Sequence, residues 1–148
     1  MCRKNFFIVI LMFFGFVCFA QSSDFVSYMI EAETVSYEDV AYFCAVNLEL
    51  VDEDCAPVDA MQALANAGVY STSKDSKSNI SYQALAKMCM NTWKIKGGFL
   101  YNLSKLERYA FKDMQAKGFI PSNASSTAEV SGLEVLNLIN RCLEISGE

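Results

Sequence analysis

The chain has 148 residues; 12 are Lys or Arg, 17 are Asp or Glu and none is His, giving a net charge of −5. That length suits one domain with a real core and is short for two. The missing imidazole removes the commonest general base and the commonest metal ligand together, and overall acidity argues against nucleic acid as a partner.

Residues 1–20 have the layout of a secretory signal peptide. Arg3 and Lys4 form a positive n-region, Phe6 to Phe19 an almost unbroken apolar stretch, and Cys18-Phe19-Ala20 ends on a small residue that suits cleavage before Gln21. An apolar run of about 15 residues falls short of the roughly 20 that cross a bilayer, so export with cleavage is the expected fate. The alternatives are an uncleaved anchor and lipidation at Cys18, and membrane contact is expected only through one of these. Removing residues 1–20 leaves 10 basic against 17 acidic residues, a net charge of −7.

Residues 21–33 read as an acidic, partly ordered lead-in to a single all-helical domain over 34–148. Charge is divided along the chain. Gln21 to Ala60 holds ten acidic residues and no basic one, whereas Lys74 to Lys117 holds nine basic residues against Asp75, Glu107 and Asp113. A polarised surface is expected.

Five helices are predicted, at roughly 36–47, 57–67, 81–94, 105–117 and 131–144. Ser36 opens the first, whose apolar stripe is Tyr37, Val40, Ala41, Cys44 and Leu48. Ser81 opens the third in the same register, with Tyr82, Leu85, Ala86, Cys89 and Trp93. Ser131 opens the fifth, with Gly132, Val135, Leu136, Ile139 and Leu143. Spacings of three, four and seven put each set on one helix face, and Ser36/Asp39 and Ser131/Glu134 read as capping boxes. The second and fourth helices open at Pro57 and at the Ser104/Glu107 pair. Both end in Gly followed by an apolar residue, Gly68-Val69-Tyr70 and Gly118-Phe119-Ile120, as a Schellman stop does. The Ser-rich segments 71–79 and 122–127 are expected to be mobile loops. No stretch alternates long enough for a sheet.

This order amounts to two and a half helix-loop-helix repeats and resembles the S-layer-homology (SLH) domain of envelope proteins. The residues that carry the likeness are Gly68-Val69-Tyr70 with Ile80-Ser81-Tyr82-Gln83-Ala84-Leu85-Ala86, and Gly118-Phe119-Ile120 with Val130-Ser131-Gly132-Leu133-Glu134-Val135-Leu136. A half copy stands at Val35-Ser36-Tyr37-Glu38-Asp39-Val40-Ala41. The resemblance implies a helical repeat fold in a cell-envelope protein. The family's polymer-gripping Arg follows the capping residue; this chain has Tyr37, Tyr82 and Gly132 there. Trp93 to Met114, through Gly97-Gly98, Tyr101 and Arg108-Tyr109-Ala110, is also similar to small exported spirochaete proteins, which implies no activity.

Cys44, Cys55, Cys89 and Cys142 lie beyond the signal. An oxidising compartment invites a disulfide, with Cys44–Cys55 the favoured pair. Against that, Ile139 fills in the fifth helix the slot of Cys44 and Cys89, so these sites also suit core thiols. Neither reading gives a cofactor or a metal site: no close Cys pair exists for zinc, and Asp52-Glu53-Asp54 lacks the turn glycine and alternating ligands of a calcium loop. No Cys or Ser has a His to activate it, so an enzyme is not expected.

One segment stands out. Trp93-Lys94-Ile95-Lys96-Gly97-Gly98-Phe99-Leu100-Tyr101 fills the connector place that Leu48 to Cys55 fills earlier, basic and aromatic where the first is acidic. Trp93, Lys94, Lys96, Tyr101 and Arg108, with Lys105, are the candidate binding residues for an anionic envelope polymer, a membrane surface or an envelope protein. The alternative is that Trp93, Phe99, Leu100 and Tyr101 close the core while the lysines are merely solvated. A structural protein, self-associating through its acidic and basic parts, is the rival function.

Overall fold

The computed structural model describes residues 20–70 and 75–146; residues 1–19 of the expected signal segment, Cys18 among them, and part of the first Ser-rich loop lie outside them. Among the described residues there are seven helices and no strand: α1 Ala20–Glu31, α2 Tyr37–Asn47, α3 Pro57–Asn66, α4 Tyr82–Thr92, α5 Phe99–Ser104, α6 Glu107–Ala116 and α7 Gly132–Ser146. Five coincide with the predicted helices to within a turn. The other two, α1 and α5, are additions. No helix among the described residues is long and apolar enough to cross a membrane.

The helices pack as three pairs, α2 with α3, α4 with α6 and α1 with α7, and α4 also touches α2 and α7. The stripes read from the sequence form the interior: Val40, Ala41, Cys44, Leu85, Ala86, Cys89 and Val135 are wholly buried, and Cys142, outside the stripes, is buried with them. Leu143 departs from its stripe and stands partly exposed near the end of α7.

Where a lead-in was expected, α1 brings Phe25 and Met29, four residues apart and therefore on one face. The Phe25 ring meets Tyr42 and Phe43 at centroid distances of 4.5 and 5.2 Å, and Met29 is fully buried. Gly132 is the contact that admits α1. A Cβ there would lie 1.8 Å from the Met29 carbonyl oxygen, so the position that the SLH pattern gives to Arg has room only for hydrogen.

Buried Val35, Ile80 and Val130 precede the three serines and are tied by backbone bonds: Ile80 N donates to Val35 O (2.9 Å) and Val35 N to Val130 O (3.2 Å). The linker that follows α3 caps α2, and the one that follows α6 caps α4. The free first-turn amides of α2 donate to Ser78 O and Ser76 O, and those of α4 to Ala128 O and Ser126 O. The described parts of the Ser-rich segments are therefore fixed capping structures, not the mobile loops expected from their composition.

Ser36 and Asp39 form a reciprocal capping box, as do Ser131 and Glu134. Ser81 holds the N-cap position of α4 but makes no side-chain cap bond, Ala84 offering nothing to return it. Ser104 does not open α6: it ends α5, donates to Leu100 O, and leaves Leu106 as the N-cap. Gly68 and Gly118 have φ of +73° and +78°. Val69 N and Phe119 N donate to Leu64 O and Met114 O, which completes a Schellman stop at each glycine.

Candidate functional site

The connector between α4 and α6 begins with Trp93, half-buried against the core, after which Lys94 turns the chain at φ +51°. Ile95 N donates to Met90 O and ends α4. Lys96 is exposed. The Gly98 amide donates to Asp113 Oδ2 (2.7 Å), which fastens the start of α5 to α6.

Tyr101 stands apart from the other candidate contact residues. Only 3 % of it is exposed, and its hydroxyl donates to Asn91 Oδ1 (2.8 Å), whose amide in turn donates to Val69 O (3.1 Å). It mounts α5 on α4 and offers a partner nothing. A helix this short sends one face inward, and Tyr101 is that face. Phe99 (79 % exposed), Leu100 and Leu103 (73 %) therefore point out, and Leu106 follows them on the surface. The core-closure alternative thus holds for Tyr101 and Trp93 and fails for Phe99 and Leu100. Leu103 and Leu106 belong to this face and were missed in the sequence, where four scattered apolar residues in a short segment carry no period.

Lys94, Lys96, Lys105 and Arg108 flank the apolar face at both ends, all exposed. Lys105 Nζ lies 4.9 Å from the Tyr101 ring centre and Arg108 Cζ 5.1 Å from that of Tyr109. These aromatic faces hold two of the cations in place without neutralising them.

No family model and no curated protein matches the chain.

The remaining chemistry is internal. Cys44 and Cys55, the favoured disulfide pair, are free thiols. Cys44 points into the core, where Thr92 and Cys142 are its neighbours, while Cys55 lies in the loop among Asp52, Asp54 and Asp59. Burial pushes the Cys44 thiol up to about 12. A hydrogen bond with Cys142, then burial, raises Cys89 well above an ordinary thiol. Such thiols are protonated and unreactive at neutral pH. No three carboxylates or thiols converge on a cation position among the described residues.

A shallow groove of about 270 Å³ runs between Tyr82, Phe119, Ile120, Glu134 and Arg141. The Tyr82 hydroxyl donates to Glu134 Oε1 (2.6 Å), and Arg141 Nη1 donates to Gly118 O and Phe119 O. Tyr82, Glu134 and Arg141 are thus engaged in holding α7 against α4 and the end of α6. Burial, then the Glu134 bond and charge, raise the Tyr82 phenol. Partial burial works to raise Glu134, but the bonds from Tyr82 and Ser131 outweigh it and its carboxyl falls below the usual value.

Proposed function

We propose that the protein is an exported, non-enzymatic envelope module, a degenerate SLH-like frame that docks to an anionic partner through the connector between α4 and α6. One observation carries the reading: an apolar face at α5, mounted through the buried Tyr101 and flanked by four exposed cations in a chain that is acidic overall. A fixed surface of this kind loses little freedom when it binds. The export half of the reading rests on residues 1–20; cleavage after Ala20 leaves a chain that starts at the second residue of α1. Support for the frame comes from the paired glycine stops and from the three apolar residues that meet ahead of the serines.

The test compares the protein with a Lys94→Gln/Lys96→Gln/Arg108→Gln variant in sedimentation with the envelope fraction of its host. Retention of the first and release of the second, at unchanged melting temperature, is the expected result. Equal retention of both removes the connector from the binding. A second reading, self-assembly, is favoured by the separation of charge between residues 21–60 and 74–117. It predicts association of the protein alone that dissolves as salt rises.

A further inference from the structure

The apolar face of α5 has a geometry more specific than docking in general. At about 100° per residue, Phe99, Leu100 and Leu103 fall on the side opposite Tyr101, and their exposure makes them projections rather than the lining of a groove. Projecting apolar side chains are accommodated by a phase that yields around them. Four of the donors behind them are closed internally. Asn102 N donates to Gly98 O, Lys105 N to Tyr101 O, the Asn102 amide to Gly97 O, and the Ser104 hydroxyl to Leu100 O. Water makes no such demand of an exposed connector, whereas the boundary of a hydrocarbon phase does.

Charge selects the kind of surface. Lys94 and Lys96 precede the apolar residues and Lys105 and Arg108 follow them, the arrangement in which long basic side chains reach phosphates while apolar neighbours lie deeper. The ten acidic residues between 21 and 60 lie on α1, α2, α3 and the segments that join them, in a different part of the chain. A negatively charged surface therefore orients the molecule with α5 foremost.

We propose that α5 is an insertion element for an anionic lipid bilayer: Phe99, Leu100 and Leu103 enter the boundary between headgroups and acyl chains, and Lys94, Lys96, Lys105 and Arg108 sit among the phosphates. The inference rests on the connector reading above and names its partner. It supplies a route to a membrane that needs neither Cys18 nor a retained signal.

The chain has a single tryptophan, Trp93, at the root of this element, and that residue is the probe. The full chain is mixed with phosphatidylcholine vesicles, with or without phosphatidylglycerol, whose acyl chains are brominated next to the headgroups, at the depth the proposal gives the neighbouring Lys94. Quenching of Trp93 is expected only with phosphatidylglycerol present, and it weakens as salt rises. Phe99→Ser/Leu103→Ser is expected to weaken it tenfold or more, and each Lys→Gln change about fivefold. Both sets replace exposed side chains, so melting temperatures should not move. Sedimentation with vesicles without quenching means attachment through residues 6–19 and overturns the proposal, as does equal quenching by neutral vesicles. If no vesicle quenches Trp93 while the triple variant still loses envelope retention, the partner is not lipid and the docking reading stands. If retention is unaffected as well, both fall.

Discussion

Glu49 and Lys94 occupy the same step of two helices: each stands thirteen residues past its serine cap, and each is left-handed, at φ 55° and 51°. Leu50 N donates to Ala45 O behind the first and Ile95 N to Met90 O behind the second. Both are Schellman stops built without glycine. One carries an acid and the other a base, so the same backbone turn presents opposite charges at α2 and α4.

Left-handed backbone costs a residue with a Cβ about 1–2 kcal/mol, and glycine gives back about 0.5–1 kcal/mol through its freer unfolded chain. Glu49→Gly and Lys94→Gly should therefore each stabilise the fold by roughly 0.5 kcal/mol. Chemical denaturation of the two variants checks the sign.

The opposite sign is expected at Gly68 and Gly118. A Cβ at either site meets nothing within 4 Å, so the whole cost of Gly→Ala is the backbone term, about 1 kcal/mol. Thermal melts should fall by similar amounts. A rise at either site would show that the glycine is not serving as a stop.

Gly132→Ala is a different case, because the obstacle is the Met29 carbonyl rather than a torsion. Backbone cannot move aside without separating α1 from α7. A loss of several kcal/mol is expected, at the upper end for single changes, with new protease cleavage between residues 20 and 31. An intact α1 in this variant would refute the close approach.

Glu134 titrates lower in the folded protein than its ordinary value of 4.5. A depressed carboxyl adds stability that is present above the unfolded value and is lost as pH falls through the folded one. Tyr82→Phe should thus cost about 1 kcal/mol near neutrality, the low end for a charged hydrogen bond because Glu134 is exposed. The difference between the two proteins should vanish in acid. Denaturant titrations on either side of pH 4.5 measure it.

Cys44 gives the complementary alkaline prediction. Its folded value is raised from 9.0 to about 12, so its contribution is complete below pH 9 and is lost as pH rises towards 12. Stability should decline with a slope of about 1.4 kcal/mol per pH unit for this thiol. Cys44→Ala should flatten that limb while costing on the order of 1 kcal/mol at neutral pH.

The helices that could be read in the sequence were those with both a period and a punctuation mark. Tyr37 to Cys44 repeats its apolar spacing behind a capping box, and Ala60 to Leu64 runs into Gly68. Helix α1 had neither sign: Phe25 and Met29 make one pair without a cap, in a stretch whose acidic residues suggested solvation. Helix α5 is shorter than two turns, and no periodicity can be measured over six residues. The connector was recognisable from its charge, but which of its aromatic and aliphatic residues face outward depends on the single inward place that Tyr101 takes. The fate of the thiols was equally hidden, since spacing alone does not tell a core cysteine from a bridged one.

The pairing of α1 with α7 has a consequence for the order in which the molecule is made. Phe25 can find Tyr42 and Phe43 early, but the backbone at Met29 is received only by Gly132, and Val35 waits for Val130. Roughly a hundred residues separate the partners, and the later ones leave the ribosome long after the earlier. The nascent chain therefore cannot seat α1 until the residues of α7 have been made, and long-range closure of this kind is slow to nucleate. A chain built this way keeps α1 unseated throughout the making of everything that lies between it and α7.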